Sequence, residues 1–152
     1  MKKICTALLA LLLCLTALSA CGTKTIAEPA ALAEALAAAD IYSTEIYPLD
    51  ASMVTQIFGV TADYTEAYAH ASAGDAADEL LVVTAADEEG AKTLLTQLET
   101  HMTTLSETYS QYAADQCPRI EGGLLMRVGT VVVWCVSNDT DAAKTIVENY
   151  IK

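Results

Sequence analysis

The chain has 152 residues, 20 of them acidic and eight basic, so its formal net charge is -12. This length suits a single domain with a core large enough to fold without disulfide bonds. Nucleic-acid phosphates repel such an acidic surface, so we expect no nucleic-acid partner. After the first 20 residues, no apolar run reaches the roughly 20 residues that a membrane-spanning helix needs.

The first 20 residues have the composition of a signal peptide. Lys2 and Lys3 precede an apolar segment, residues 4–17, and the small residues Ser19 and Ala20 follow it. This order predicts that residues 1–20 are removed. An uncleaved transmembrane anchor is the alternative, but the apolar segment is shorter than the roughly 20 residues of a spanning helix.

The end of this segment, Leu18-Ser19-Ala20-Cys21, resembles a bacterial lipobox. The resemblance implies that a lipoprotein peptidase cuts before Cys21 and that the Cys21 thiol carries a diacylglyceryl group. Two acyl chains anchor a protein stably, because each buried methylene contributes about 0.8 kcal/mol. A secreted protein with a chance cysteine is the alternative. We therefore expect a lipoprotein anchored in the cell membrane, on its extracytoplasmic face.

Processing changes both the charge and the cysteine count of the chain. Without the two lysines of the leader, the formal charge moves from -12 to -14. Of five cysteines, only Cys117 and Cys135 remain in the domain, since Cys21 carries the lipid. They could pair in an oxidising compartment. Cys135, however, lies in the apolar run 131–136, where a cysteine packs as a small hydrophobe, so two free thiols are favoured.

Residues 21–29 are expected to hold the lipidated cysteine and a short tether, and residues 30–152 a single domain. A helix is predicted from Pro29 to about Ala39, because proline suits the first helical position and the following alanines and leucines favour helix. The alternation of residues 42–47, just before a proline, predicts a strand.

A short helix should follow this strand and end at Gly59. Asp50 or Ser52 is expected to cap its start. Its apolar residues predict the side that faces the core. They are Met53, Val54, Ile57 and Phe58.

A β-hairpin and a long helix are predicted next. Residues 64–73 and 79–85 form the two strands, joined through a turn at Gly74-Asp75. Apolar side chains then recur every three or four residues from 87 to about 114, which predicts an amphipathic helix. The alternate alanines of the first strand would allow this helix to pack closely on the sheet.

The last part of the domain is predicted as a loop, residues 115–123, and a second hairpin. Its strands are residues 124–128 and 131–137, which flank Gly129-Thr130. The second strand is apolar on both faces, as is typical of a central strand. A final helix covers residues 140–151. Together these elements predict an α+β domain with about five largely antiparallel strands and helices packed on the sheet.

Three stretches of the chain carry a family resemblance. They are Asp78 to Val83, Tyr109 to Tyr112, and Val128 to Val133 followed by Ser137-Asn138-Asp139. Through them the chain resembles a family of small lipoproteins of Gram-positive bacteria, classed as a domain of unknown function. The resemblance implies location and fold. It transfers no catalytic residues, because the family has no established activity.

Glu79 and Arg127 are the candidate charge pair of the domain. Glu79 begins one apolar strand, and Arg127 interrupts another. We therefore expect the two side chains to meet across the sheet, either as a structural pair or at a binding face. The histidines, His70 and His101, are expected at the surface. Zinc needs three or four ligands, so no metal or other cofactor is expected.

Asn138, Asp139 and Asp141 offer oxygen ligands that could hold calcium. Helix capping explains Asn138 and Asp139 without an ion, and we favour it.

Three classes of function remain. A noncatalytic interaction or binding module at the cell envelope, with a possible protein partner, ranks first and predicts an exposed patch of tyrosines or aliphatic side chains. A small-ligand receptor subunit ranks second and predicts a polar pocket around Glu79, His70 or Arg127. An envelope enzyme ranks last, since the sequence contains no nucleophile elbow or phosphate-binding loop.

Overall fold

The computed structural model describes residues 24–152. The predicted leader and Cys21 lie outside the described residues. Within them, one five-stranded sheet carries helices on both faces, so the predicted α+β single domain is confirmed.

Along the chain, helices are separated by one single strand and two hairpins. The strands are β1 (Ile46–Pro48), β2 (Tyr64–Ser72), β3 (Glu79–Ala85), β4 (Leu124–Val128) and β5 (Val131–Val136). The helices are α1 (Pro29–Ala37), α2 (Met53–Phe58), α3 (Glu88–Tyr109), α4 (Cys117–Glu121) and α5 (Thr140–Asn149), with a 3-10 turn (Ala114–Gln116) before α4.

The strand order is β1-β2-β3-β5-β4, and every neighbouring pair is antiparallel. β5 lies between β3 and β4, and all six of its residues are buried, so its predicted central place is confirmed. Successive side chains of a strand point to opposite faces. Leu81 and Trp134 accordingly face one layer of helices, and Leu80 and Cys135 face the other.

Each face of the sheet has its own apolar core. Helices α2, α3 and α4 cover the first face, and α1 and α5 cover the second. Ala67 and Ala69 of β2 belong to the first core together with Leu94 and Leu98 of α3. The small alanine side chains thus face the long helix's layer, as predicted.

Three helix ends follow the predicted chemistry, but the start of α2 does not: Ser52 is its N-cap residue and makes no side-chain capping hydrogen bond. Asp87 caps α3 by accepting the Gly90 N–H at 2.7 Å, and Asp139 caps α5 by accepting the Ala142 N–H at 2.9 Å. Gly59 ends α2 in the left-handed region, with φ of 67°. The capping role predicted for Asp139 is therefore confirmed.

The first predicted strand is largely wrong. Only Ile46–Pro48 pairs with β2, while Ser43 and Thr44 give their backbone N–H groups to the Asp78 carboxylate at 3.2 Å each. A side chain therefore satisfies the donors that a strand ladder would otherwise use. Pro48 is tolerated inside β1 because β1 is an edge strand, where one side of the backbone needs no partner.

Two boundaries and one burial prediction also differ. Helix α3 ends at Tyr109 rather than near residue 114, and the predicted loop 115–123 contains α4. Pro118 lies in the first turn of α4, where its missing N–H costs nothing. Met53, predicted to face the core from α2, is exposed.

The first described residues of the chain pair with its last residues. Thr25 and Lys152 exchange two backbone hydrogen bonds, at 2.9 and 3.1 Å, and Ile26 bridges to Ile151 and is buried. Part of the segment expected as a tether is thus packed on the domain. Among the described helices, none combines the length and the apolar character needed to cross a membrane.

Candidate functional site

Two neighbouring acidic residues are buried where β3 begins. Asp78 is completely inaccessible to solvent, and Glu79 is 7% exposed. A buried carboxylate is tolerated only where other groups pair with it and hydrogen-bond to it. The partners of these two residues therefore define the polar centre of the domain.

Asp78 accepts hydrogen bonds from two distant parts of the chain. Besides the two backbone N–H groups of Ser43 and Thr44, it accepts the hydroxyls of both residues, that of Thr44 at 3.3 Å. The Arg119 guanidinium of α4 donates to Oδ1 of the carboxylate, the oxygen that also accepts the Ser43 N–H. Asp78 thereby joins the loop after α1 to the short helix that the sequence did not predict.

Arg119 also connects α4 to the chain just before Asp78. Its Nη1 donates to Gln116 Oε1 at 2.6 Å, and the same oxygen accepts the Ala77 N–H at 3.4 Å. The Arg119 side chain is 19% exposed. A mostly buried guanidinium thus compensates a completely buried carboxylate.

The two remaining cysteines lie in different cores, which confirms that they are free thiols. The Cys135 sulfur is 3.6 Å from the Tyr42 hydroxyl. Burial raises the pKa of Cys135 to about 11 and also raises the pKa of Tyr42. Both groups are therefore uncharged near neutral pH, and Cys135 packs as the predicted small hydrophobe.

Glu79 faces the first core and meets two ring nitrogens through one oxygen. Its Oε2 accepts the Trp134 Nε1–H at 2.8 Å and lies 2.7 Å from His101 Nε2. The side chains of His101 and Glu79 are 8% and 9% exposed. This cluster links β3, β5 and α3 at one point.

The ring of His101 is also held by aromatic neighbours. Its centroid lies 5.3 Å from that of Phe58, and 6.0 Å from that of Trp134 in an edge-on arrangement. These geometries are favourable for aromatic pairs. The orientation of the imidazole is therefore fixed by two rings and one carboxylate.

The predicted pair between Glu79 and Arg127 is wrong. Arg127 is exposed and donates to the Gly129 carbonyl at 2.7 Å. β5 separates β3 from β4, and the register places Glu79 opposite Val136 but Arg127 opposite Val132, four residues earlier in β5. The sequence indicated that Glu79 needs a partner, but the strand order and the packing of α3 on the sheet identify its partners, Trp134 and His101.

The predictions for the two histidines also need correction. His101 was expected at the surface, yet it lies in the cluster with Glu79 and Trp134. His70 is half-buried, its Nδ1 is enclosed without a hydrogen-bond partner in the described part of the chain, and burial lowers its pKa. A position at the border of the apolar stripe of α3 was the one available signal for His101.

A shallow cleft of about 330 Å³ opens beside His101, between α2 and α3. Its lining residues are Gln56, Ile57, Phe58, Gly59, Gln97, Thr100, His101 and Thr104. The Gln97 amide ties α3 to the loop after α2: it donates to the Thr61 hydroxyl at 2.7 Å and accepts the Thr61 N–H at 3.1 Å. The cleft therefore has a fixed wall, and His101 connects it to the buried Glu79.

Within residues 24–152, no group of three or more histidine, cysteine or acidic residues could hold a metal ion. The candidate site consists of the two paired carboxylates, Asp78 and Glu79, and the cleft beside His101.

Comparison with known proteins identifies one family. The family model described as a domain of unknown function, DUF4358, matches residues 38–137. This range includes Asp78, Glu79, His101, Arg119 and Trp134. Searches of curated proteins and of solved structures found no match.

Replacing His101 by alanine should lower the free energy of unfolding by about 3 kcal/mol, because Glu79 would stay buried with half of its partners removed. His101→Gln keeps an N–H donor and should lose less. Urea unfolding of the chain from residue 22 onward measures both variants.

Lys92→Ala serves as the control, since the Lys92–Glu89 pair is exposed and should contribute less than 1 kcal/mol. If His101→Ala were no more destabilising than Lys92→Ala, the buried pair would not have the stabilising role described.

Proposed function

The chain belongs to the DUF4358 family, a domain of unknown function, and we propose that it is a lipid-anchored binding module on the extracytoplasmic face of the cell membrane. The observation that carries the proposal is the segment Leu18-Ser19-Ala20-Cys21 at the end of a basic and then apolar leader. A diacylglyceryl group on Cys21 would supply the two acyl chains that stable anchoring needs.

The start of the described domain supports a position close to the membrane. Thr25 is paired with Lys152, and it follows Cys21 by four residues. The four Cα–Cα steps from Cys21 to Thr25 can extend over about 14 Å at most. A lipid on Cys21 would thus hold the domain against the headgroup region rather than on a long stalk.

Replacing Cys21 by serine should move the protein from the membrane fraction to the medium or the soluble envelope fraction, because the lipid can no longer be attached. Fractionation of cells and detergent phase separation measure this. Cys117→Ser is the matched control and should stay in the membrane. Efficient membrane retention of Cys21→Ser would contradict the lipid anchor.

The partners of the two buried carboxylates support binding rather than catalysis. Asp78 is bonded to the loop after α1 and to α4, and Glu79 is bonded to Trp134 and His101. These carboxylates therefore serve the fold directly, and the cleft meets Glu79 through His101.

The His101 cleft is the better candidate for the binding site than an apolar patch. The exposed large apolar side chains of the described chain, Tyr47, Met53 and Tyr112, belong to three different segments. The cleft, in contrast, combines an apolar floor with several polar groups, as ligand sites do. This arrangement also favours the second candidate, a small-ligand receptor subunit, over an envelope enzyme.

A photoreactive residue at Gln56, at the cleft, should become crosslinked to an envelope component when intact cells are irradiated. The same residue at Thr145, exposed on α5 on the opposite face of the sheet, is the matched control and should give no adduct. Electrophoretic mobility and mass spectrometry of the membrane fraction measure the result. Adducts from Thr145 but not from Gln56 would place binding elsewhere.

A further inference from the structure

The hydrogen bonds around Glu79 assign the proton of His101. The Trp134 indole N–H can only donate, so Glu79 Oε2 acts as an acceptor there. With Glu79 ionised, that oxygen can only accept, and its second contact, 2.7 Å from His101 Nε2, is then an N–H donated by the imidazole. In neutral His101, the proton is then on Nε2, and Nδ1 keeps a free lone pair.

The cleft beside His101 combines a mainly apolar surface with several polar groups, and it contains no lysine, arginine or carboxylate. Seven of its eight lining residues carry no ionisable group, and the eighth is His101 itself. The Thr100 hydroxyl donates to the Thr96 carbonyl at 3.1 Å, which leaves its oxygen as an acceptor. Gln56 is exposed at the rim, and its amide can both donate and accept.

Such a lining discriminates among ligands by charge and by hydrogen-bonding type. A domain with a formal charge of -14 and a cleft without lysine or arginine does not favour an anion. A cleft without a carboxylate on its wall gives a cation no direct partner. With His101 neutral, acceptors at its Nδ1 and at Thr100, together with the apolar Ile57, match a ligand that has hydroxyl donors and an apolar face.

We propose that the His101 cleft binds a small neutral ligand rich in hydroxyl groups, of the size of a sugar ring, and that one ligand hydroxyl donates to His101 Nδ1. A volume of about 330 Å³ is at the lower end of the range for small-molecule sites. The inference rests on the proposed function, since it names the ligand class of that module's binding site.

Nitrogen-15 NMR of the imidazoles in the chain from residue 22 onward tests both the position of the His101 proton and the binding of the ligand. We expect a protonated Nε2 and an unprotonated Nδ1 for His101 in the free protein. Titration with N-acetylglucosamine should then shift the His101 signals in a saturable way. His70 is the internal control, because it lies on the opposite side of the sheet and should not respond.

Gln56→Ala should weaken this binding about tenfold, the loss expected when one good hydrogen bond of about 1.4 kcal/mol is removed. Gln111→Ala, at an exposed position outside the cleft, should leave it unchanged. A proton on Nδ1 of the free protein, or no saturable shift of His101 with the sugar, would overturn the inference. Crosslinking from Gln56 would still stand in that case, so the two proposals can fail separately.

Discussion

The burial of two adjacent carboxylates at the start of β3 is the constraint on which the rest of the structure depends. Each would cost several kcal/mol if it were left unpaired. Asp78 is therefore hydrogen-bonded to the Ser43-Thr44 loop and to Arg119 of α4. Glu79 is bonded to Trp134 of β5 and to His101 of α3. One point of the chain thus fixes the positions of segments that are far apart in sequence.

This constraint also explains which parts of the fold the sequence could predict. Periodic patterns located β2, β3, β5 and α3 because those elements bury regular apolar faces. The chain from residue 42 to 45 alternates like a strand, but the Asp78 carboxylate competes for its backbone donors. Helix α4 is only five residues long, so periodicity gave no signal for it, and Arg119 was not recognised as the partner of Asp78.

The candidate site was predicted only in part for the same reason. Glu79 in an apolar strand indicated a buried charge that needs a partner, which is confirmed. Choosing Arg127 as that partner required the order of the strands, and five strands can be ordered in many ways. His101 joins Glu79 because α3 crosses the sheet over β3 and β5, which is a property of tertiary packing that local sequence does not contain.

Stability and the candidate binding site are therefore coupled through Glu79, whereas Asp78 serves the architecture alone. The coupling between Asp78 and Arg119 is for this reason the most direct test of the claim that the buried carboxylates hold the fold together. A double-mutant cycle with Asp78→Asn and Arg119→Met, followed by urea unfolding, measures this coupling. The account predicts a coupling free energy of about 2 kcal/mol or more, because each single variant leaves a buried group without its partner. Effects that add to within about 0.5 kcal/mol would contradict it.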